Sequence, residues 1–478
     1  MIGHVMKIYK NSGLKPALKA ALHDIGAGAS RRRQALFYAR SLFSEEQREA
    51  TELSGYCIVK IGGVKLHRDM VCELNKVIEE RQPAVIYMDE LRDGELLYKP
   101  DYAPDNLAAH NYIGNCVVVR RDLMDDCAVK LSGEASLWSF NKYICGRCRE
   151  EEIAHVSRAL FEDNGHISDD GDNINDTSQD NVKDCIDNSL GNVSNSEHCS
   201  MISVIIPNYE HADDLRRCVE SLLYINTYKN IEIIIVENNS TSKEIFSYYD
   251  ELLREHPEVI RLEKWEGSFN YSAINNYGAS RANGELLLLL NNDTKIIEPN
   301  SLWAMAEYAV RDNTGAVGAC LLYADKTVQH AGVIVGIGPD MTAVHPNSGV
   351  CFIEKGYRDS IHHVQNYSAV TGACLMIKKE LFDKLGGLDE ELAVAYNDVD
   401  FCLRLRRRGL LNVYVPQALL FHYESKSRGY DDKGERHERF LRESQLFCDR
   451  WQNIIDDGDP YYNVNLSKEV PWKPEIKL

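Results

Sequence analysis

The sequence lacks three features that would each have placed it in a different class. No apolar run approaches the roughly 20 residues needed to cross a bilayer, so no membrane-spanning helix is expected. Basic residues are in deficit, 54 Lys and Arg against 73 Asp and Glu, for a net charge of −19. Coating nucleic acid requires a basic footprint that neutralises phosphates, so nucleic acid is not an expected partner. Glycine loops that cradle phosphates are missing too: there is no G-x-G-x-x-G after a strand and no G-x-x-x-x-G-K-[ST]. That counts against a dinucleotide-binding dehydrogenase and a P-loop ATPase. The opening residues, MIGHVMKIYK, have neither the apolar core nor the small-residue cleavage site of a secretory signal, and a cytoplasmic location is the resulting expectation.

Cysteine is present but unpatterned. Of 14 cysteines, Cys145 and Cys148 form the single C-x-x-C, and a structural zinc site needs a second pair at finger-like spacing. Cys218, Cys320, Cys374 and Cys402 sit in apolar segments and read as buried free thiols. With 44% hydrophobic and 27% charged residues the balance is that of a soluble globular protein. A length of 478 residues predicts two or three domains.

Composition marks the boundaries. From Glu162 to Ser200 ten acidic residues face a single Lys, among many Asn, Ser and Gly. Such a segment buries too little apolar surface to offset its ordering entropy, so 162–200 reads as a flexible linker between a domain at 1–161 and one at 201–478. Residues 1–40 carry eight Lys or Arg against one acid, with Leu14, Leu18, Ala21 and Leu22 at helical spacing. This suits a helix docked on its own domain with a solvated basic face, the commoner arrangement. It also suits one resting peripherally on an anionic membrane surface.

After the linker, strands and helices alternate. Ile202–Ile206, Ile231–Val236 and the leucine-rich Glu285–Leu290 read as buried strands, separated by helices at Asp213–Leu223 and Ser272–Arg281. Continuous apolar strands of this kind predict a mostly parallel sheet covered on both faces. Ligands then bind at the carboxyl ends of the strands. Those ends read Pro207-Asn208-Tyr209-Glu210, Glu237-Asn238-Asn239-Ser240 and Asn291-Asn292-Asp293-Thr294. Taken singly, each is an ordinary turn or helix cap; their coincidence in one crevice is what points to a site. Downstream come Ala369-Val370-Thr371-Gly372-Ala373-Cys374, then Leu385-Gly386-Gly387-Leu388-Asp389-Glu390, Tyr396-Asn397-Asp398-Val399-Asp400, and Phe421-His422-Tyr423 closing a strand from Val413.

In this order and spacing, the stretch from Ser203 to about Arg442 resembles glycosyltransferase family 2, enzymes of the GT-A nucleotide-diphospho-sugar transferase fold. Ser203–Tyr209 looks like that family's first strand and nucleotide loop. Phe269-Asn270 through Asn275-Asn276, followed by Ala282–Glu285, looks like its helix leading into the metal strand. Asn291-Asn292-Asp293 falls on its D-x-D motif, Asn397-Asp398 on the pair that holds the catalytic base, and His422 on a further metal ligand. The resemblance implies that Asp293 and His422 hold Mn²⁺ or Mg²⁺ and that Asp398 is the base. It implies a substrate site formed by Pro207, Tyr209, Glu237, Asn239 and Asn276, together with Asn291, Asn292, Gly372 and Asn397. Three positions depart from the pattern: Glu237 and Asn291 each stand for an Asp, and Asn397 for a Glu. Fewer carboxylates weaken intrinsic cation affinity, and the donor diphosphate would supply the missing charge.

The implied chemistry is an inverting, metal-dependent transfer of a hexosyl or deoxyhexosyl group from a nucleoside-diphosphate sugar. The acceptor would be a glycan, lipid-linked or protein-linked, in surface polysaccharide biosynthesis. A cation offsets the charge gathering on the leaving diphosphate. A carboxylate at a helix start, kept ionised there, takes the acceptor proton. Asp400 is the second candidate base, its other reading being a structural partner for a nearby Arg. Two alternatives stay open: a pseudo-transferase that binds nucleotide or glycan without turnover, suggested by Glu237 and Asn291, and a nucleotidyltransferase. The latter would need a Gly- and Arg/Lys-rich loop where Asn208–Asp214 has none.

The N-terminal segments Ala84–Glu90, Lys99–Asp105 and Asn111–Gly114 resemble parts of tandem members of the same family. Lys60-Ile61-Gly62 falls at the D-x-D position and Ser136-Leu137-Trp138 at the catalytic pair, without a carboxylate at either. The expectation is a smaller, truncated, inactive GT-A-like α/β domain, with Asp89-Glu90 at a structural turn rather than at a metal site.

Overall fold

The computed structural model describes residues 53–61, 63–125, 134–163, 199–423 and 434–475. The basic stretch 1–40 lies outside these residues, as does the acidic stretch 162–200 apart from its ends. Two sheets organise the described chain.

The N-terminal sheet is built from β1 (Tyr56–Lys60), β2 (Lys65–Leu66), β3 (Val85–Arg92), β4 (Glu95–Leu97), β5 (Cys116–Arg120) and β6 (Ile153–Asp163). Its order is β1-β5-β3-β6-β2, with β4 hairpinned onto β3. β3 and β6 run parallel, and the other pairs are antiparallel. Two expectations change here. Glu162 and Asp163, assigned by charge to the linker, are the last residues of β6. Asp89 and Glu90, expected at a turn, lie inside β3 and are fully buried.

The larger sheet comprises β7 (Ile202–Asn208), β8 (Ile231–Asn238), β9 (Ile260–Trp265), β10 (Leu286–Leu290), β11 (Thr294–Ile296), β12 (Thr314–Leu322), β13 (Val328–His330), β16 (Gln365–Tyr367), β17 (Cys374–Lys378) and β18 (Leu411–His422); β14 (Ile334–Val335) and β15 (Ala343–Val344) pair separately. Its main order is β11-β18-β12-β17-β10-β7-β8-β9. Strands β10, β7, β8 and β9 are parallel, as the continuous apolar runs predict. The sheet as a whole is mixed rather than mostly parallel, because β17 runs antiparallel between β10 and β12, and β11 antiparallel to β18. Both faces are covered. Leu286, Leu288 and Leu290 join one core with Ile202, Val204 and Leu215, whereas Leu287 and Leu289 join another with Ile205, Ile274 and Phe401. Alternation of side chains along a strand sends each set to its own layer. Full burial of a leucine stabilises by about 1.5–3 kcal/mol, which is how five leucines in a row hold as a strand despite their helix propensity.

Helix Tyr271–Ser280 covers one face at close range: a Cβ on Gly278 would stand 2.5 Å from the Ile205 side chain. Helix Ala212–Glu220 ends earlier than its apolar spacing predicts and passes into one wide π turn, Ser221–Ile225. There the Ser221 hydroxyl donates to Cys218 O at 2.8 Å and accepts from Ile296 N at 3.0 Å, tying the turn to β11. Cys218, Cys320, Cys374 and Cys402 are buried free thiols. Among the described residues no helix is long and apolar enough to cross a membrane.

The two sheets share a core. Val85, Tyr87, Leu107 and Phe140 from the N-terminal unit pack in one cluster with Cys320, Leu322, Tyr414 and Leu419. Tyr461, Tyr462 and Leu466, from the chain after helix Gly434–Asp457, complete it. Polar contacts sharpen the fit: Asp105 pairs with Arg311 at 3.1 Å and accepts from Asn366 Nδ2 at 2.7 Å. Asn463 Nδ2 reaches both carboxylate oxygens of Asp89 at 3.0 Å, while Lys99 N and His155 Nε2 meet Oδ1 at 2.8 and 3.1 Å. Leaving a buried carboxylate oxygen without a donor costs about 1–3 kcal/mol. Asn463→Leu is therefore expected to lower unfolding stability by that amount in urea titrations of the full chain. Val464→Ala, at a neighbouring position that is 58% exposed, should leave stability unchanged.

Candidate functional site

The site lies where the parallel strands end, and the antiparallel strands bring it together. Thr294 at the start of β11 faces His422 at the end of β18. The preceding residue, Asp293, thereby comes within 3.2 Å of His422 Nε2 through its Oδ1. Tyr423 N also donates to Asp293 O at 2.9 Å, fixing the junction through the main chain. Across β10 and β17, Leu290 faces Cys374, so the Asn291 N–H donates to Ala373 O at 3.0 Å and the Thr371–Gly372 loop lies against the Asn291–Asp293 corner. Asn292, Asp293 and His422 are all under 10% exposed.

Asp398 occupies the first turn of helix Asn397–Arg406, entered through Tyr396 at φ +60°. Its Oδ2 accepts from Gly372 N at 2.7 Å and its Oδ1 from Val399 N at 2.8 Å. Each oxygen keeps a lone pair for a further proton or hydrogen bond, and the side chain is half-buried at the rim. Asn397 supports it from behind: its Oδ1 accepts from Asp398 N at 2.7 Å and its Nδ2 donates to Ser272 Oγ at 3.1 Å. Asp400, the second candidate base, is fully buried and held by Arg404 Nε at 2.8 Å, Arg450 Nη1 at 2.7 Å and Trp451 Nε1 at 3.0 Å. Its geometry is that of a structural anchor joining two helices.

The residues expected at a nucleotide loop lie at the ends of β7 and β8. Asn208 links them to the corner, accepting from Asn292 Nδ2 at 2.6 Å and donating through its own Nδ2 to Tyr249 Oη at 2.7 Å. Pro207 precedes it, and Tyr209 follows, a residue 48% exposed. Glu237 is buried and accepts from Ser240 N, closing the turn after β8. Asn239 is exposed at φ +57°, with its amide on Gly267 O at 2.9 Å. Asn276 stands apart: its Nδ2 donates to Leu388 O at 2.9 Å and its Oδ1 accepts from Leu388 N at 2.8 Å. It lines a separate open cleft of about 510 Å³ with Gly387, Arg404 and Arg450.

Two residues that sequence reasoning left without a role hold this arrangement together. Tyr271 Oη lies 3.0 Å from Asn291 Oδ1 and 2.9 Å from Gly372 O. His330 sits at the end of β13, its Nδ1 on Ala319 O at 2.8 Å, and its Nε2 accepts from Thr371 N at 3.2 Å. Burial pushes the His330 imidazole down to about 3, so it stays neutral and can accept that bond. A histidine inside the apolar run Val328–Ile337 was the available signal for it; Tyr271 offered none beyond its place after the helix cap Asn270.

Asp293 and His422 are side chains of the kinds that can ligate a cation, and among the described residues no third His, Cys, Asp or Glu joins them. His422 Nδ1 has no hydrogen-bond partner there. A carboxylate and an imidazole 3.2 Å apart at the end of a crevice suit a divalent ion that takes its remaining ligands from a bound anion.

Residues 200–444 match the family model described as "Glycosyltransferase like family 2". The uncharacterized protein y4gI of Sinorhizobium fredii is 41% identical over 274 residues, covering 57% of this chain and 30% of that protein. The O-antigen biosynthesis protein RfbC of Myxococcus xanthus is 32% identical over 408 residues, covering 77% of this chain and 30% of its own. That match extends beyond the family region into the N-terminal unit. The dTDP-rhamnosyl transferase RfbF of Shigella flexneri is 23% identical over 230 residues, covering 47% of this chain and 69% of its own. The chain spans under a third of the length of the first two of these relatives.

The site yields two tests. Asp400→Asn removes one partner from a buried ion pair, which should cost about 3 kcal/mol in urea unfolding, the low end for buried pairs because both arginines are partly exposed. Asp398→Asn should cost less, about 1–2 kcal/mol, because its amide N–H₂ opposes one of the two main-chain N–H donors at a half-buried position. For His330 the folded value near 3 lies below the ordinary 6.5, so the unfolded chain takes up the proton first and stability is lost as pH falls below 6.5. Between pH 6.5 and 5 that loss is roughly 2 kcal/mol, and comparison with His330→Gln at both pH values should show it shrink by that amount.

Proposed function

The chain belongs to the glycosyltransferase-like family 2, and on that premise we propose that residues 201–478 form a GT-A transferase that moves a sugar from a nucleoside diphosphate to a glycan acceptor with inversion. The observation that carries the reading is the convergence on one corner of Asn291, Asn292, Asp293, Gly372, Asp398 and His422, linked by the contacts described above. Asp293 and His422 would hold Mn²⁺ or Mg²⁺, which when bound offsets charge on the departing diphosphate.

The protein's own residues do the rest. Tyr209, Glu237 and Asn239 border the nucleotide end, and the exposed Tyr209 ring offers a face for the base. Asp398, with its lone pairs open at the rim, takes the proton of the acceptor hydroxyl as that oxygen bonds to the anomeric carbon. The bond from that carbon to the diphosphate breaks on the opposite side, and the proton stays on Asp398. A positioned carboxylate contributes about 10²–10⁴ in rate by this route. Gly372 N and Val399 N keep the carboxylate aimed until then.

The N-terminal unit is read as a degenerate relative of the same fold that no longer catalyses. The buried acids of its β3 are already taken up: Glu90 pairs with Lys99 and Arg92, and Asp89 is enclosed by Asn463 and His155. A role in surface polysaccharide assembly, on a lipid- or protein-linked acceptor at the cytoplasmic membrane face, fits the O-antigen biosynthesis name of the Myxococcus relative. A hexosyl or deoxyhexosyl donor is proposed on the same basis as the rhamnosyl transferase likeness.

The test is release of free nucleoside diphosphate from a panel of nucleotide sugars with Mn²⁺, using the full chain beside Asp293→Ala and Asp398→Asn. Metal-dependent release from one donor, lost in Asp293→Ala, is the expected result, with Asp398→Asn slowing transfer to acceptor at least about 100-fold while retaining slow donor hydrolysis. Binding of a donor with no consumption, even with lysate supplying acceptors, would make the protein a pseudo-transferase.

A further inference from the structure

The Asn291 side chain ends in one atom 3.0 Å from Tyr271 Oη and another 3.3 Å from His422 Nε2. The oxygen and nitrogen of an amide are alike in shape and exchange places on a half-turn, so the surrounding donors and acceptors must decide which points where.

Suppose first that the oxygen faces Tyr271. The hydroxyl has a single proton, yet it then meets two acceptors, Asn291 Oδ1 and Gly372 O at 2.9 Å, and one of them goes without. At the other end the amide N–H₂ faces His422 Nε2, whose second neighbour is the Asp293 carboxylate at 3.2 Å. If Nε2 carries a proton for Asp293, the amide N–H₂ opposes it. If Nε2 is bare, its lone pair opposes the carboxylate. Nor does that orientation suit a cation on Nε2, since the amide hydrogens would point at it.

The half-turn removes every conflict. Asn291 Nδ2 then donates to Tyr271 Oη, the hydroxyl gives its one proton to Gly372 O, and the Asn291 oxygen faces His422 and Asp293. Burial keeps the Tyr271 hydroxyl protonated, with its pKa raised above the ordinary tyrosine value. Tyr271 itself is held by the main chain, its N–H donating to Ala393 O at 2.8 Å.

We propose that Tyr271 is a positioning residue that orients the Asn291 amide, so that Asn291 presents its side-chain oxygen beside Asp293 and His422 as a third ligand for the divalent cation. The same hydroxyl holds the Gly372 carbonyl, whose own N–H anchors Asp398, so one side chain ties the cation end of the site to the base end. This rests on the cation reading above. It also accounts for a D-x-D corner that works with an amide in its first place: an asparagine ligates only when something selects its oxygen, whereas a carboxylate needs no selection.

Direct Mn²⁺ binding to the full chain, followed by the electron paramagnetic resonance amplitude of free Mn²⁺, tests this without relying on activity. Tyr271→Phe is expected to weaken Mn²⁺ binding about tenfold or more, the range for losing a group that orients a ligand. Asn291→Ala should weaken it comparably, and the double variant should be no weaker than Asn291→Ala alone. In Asn291→Asp both ends are oxygens, so adding Tyr271→Phe there should cost less than about threefold. A general structural role for Tyr271 predicts equal losses in both backgrounds, and that result would overturn the proposal, as would unchanged binding in Tyr271→Phe. If Asp293→Ala and His422→Ala also bind Mn²⁺ like the parent, the cation reading itself fails.

Discussion

One reversed strand does most to shape this molecule. β17 runs antiparallel between β10 and β12, whereas its neighbours beyond β10 are all parallel. Had it run parallel, its incoming loop would lie at the far edge of the sheet, some five residues away along the strand. Because it is reversed, the Thr371–Gly372 loop enters at the edge where β7, β8 and β10 leave, and Gly372 meets both Tyr271 and Asp398 there. The pairing of β11 with β18 adds the second half, setting Thr294 against His422 and so Asp293 beside the imidazole. Strand register places these groups to within a residue, because a slip of one would turn each side chain to the opposite face.

Around that corner the buried polar groups divide by what surrounds them. Asp400 and Asp398 are two residues apart on one helix, yet Asp400 is closed in by Arg404, Arg450 and Trp451 while Asp398 accepts two main-chain N–H groups and keeps access to the rim. One carboxylate is spent on joining helices and the other remains available for a proton. His330 and His422 divide likewise: the first is neutral, doubly bonded and structural, the second faces Asp293. The N-terminal unit shows the same logic carried to its end, with every acid in β3 paired off and the surface it shares with the larger sheet filled by tyrosine and leucine.

Much of the larger unit was legible in the chain. The strands at Ile202, Ile231 and Leu286, the helix opening at Asn397 and the strand closing at His422 all announce themselves through apolar runs bounded by turn formers. Residue type together with the family resemblance pointed to Asp293 and His422 at strand ends and to Asp398 at a helix start. Less legible was strand direction: a buried parallel strand and a buried antiparallel one carry the same apolar run, so β17 gave no sign of its reversal. Asn276 illustrates a similar limit, since its helix position marks it for the crevice while the Leu388 turn takes up both ends of its amide.

Sequence by itself determined which residue types stand at the strand ends and at the helix start, because those depend only on order along the chain. It determined, too, that residues 200–444 carry the family's pattern. Tertiary structure alone decided which of those groups meet. Tyr271, Asn291, Gly372 and His422 are separated by up to 151 positions, and no local propensity encodes a contact over that distance. Their meeting follows from sheet register and from the shared demand that each buried donor and acceptor find a partner.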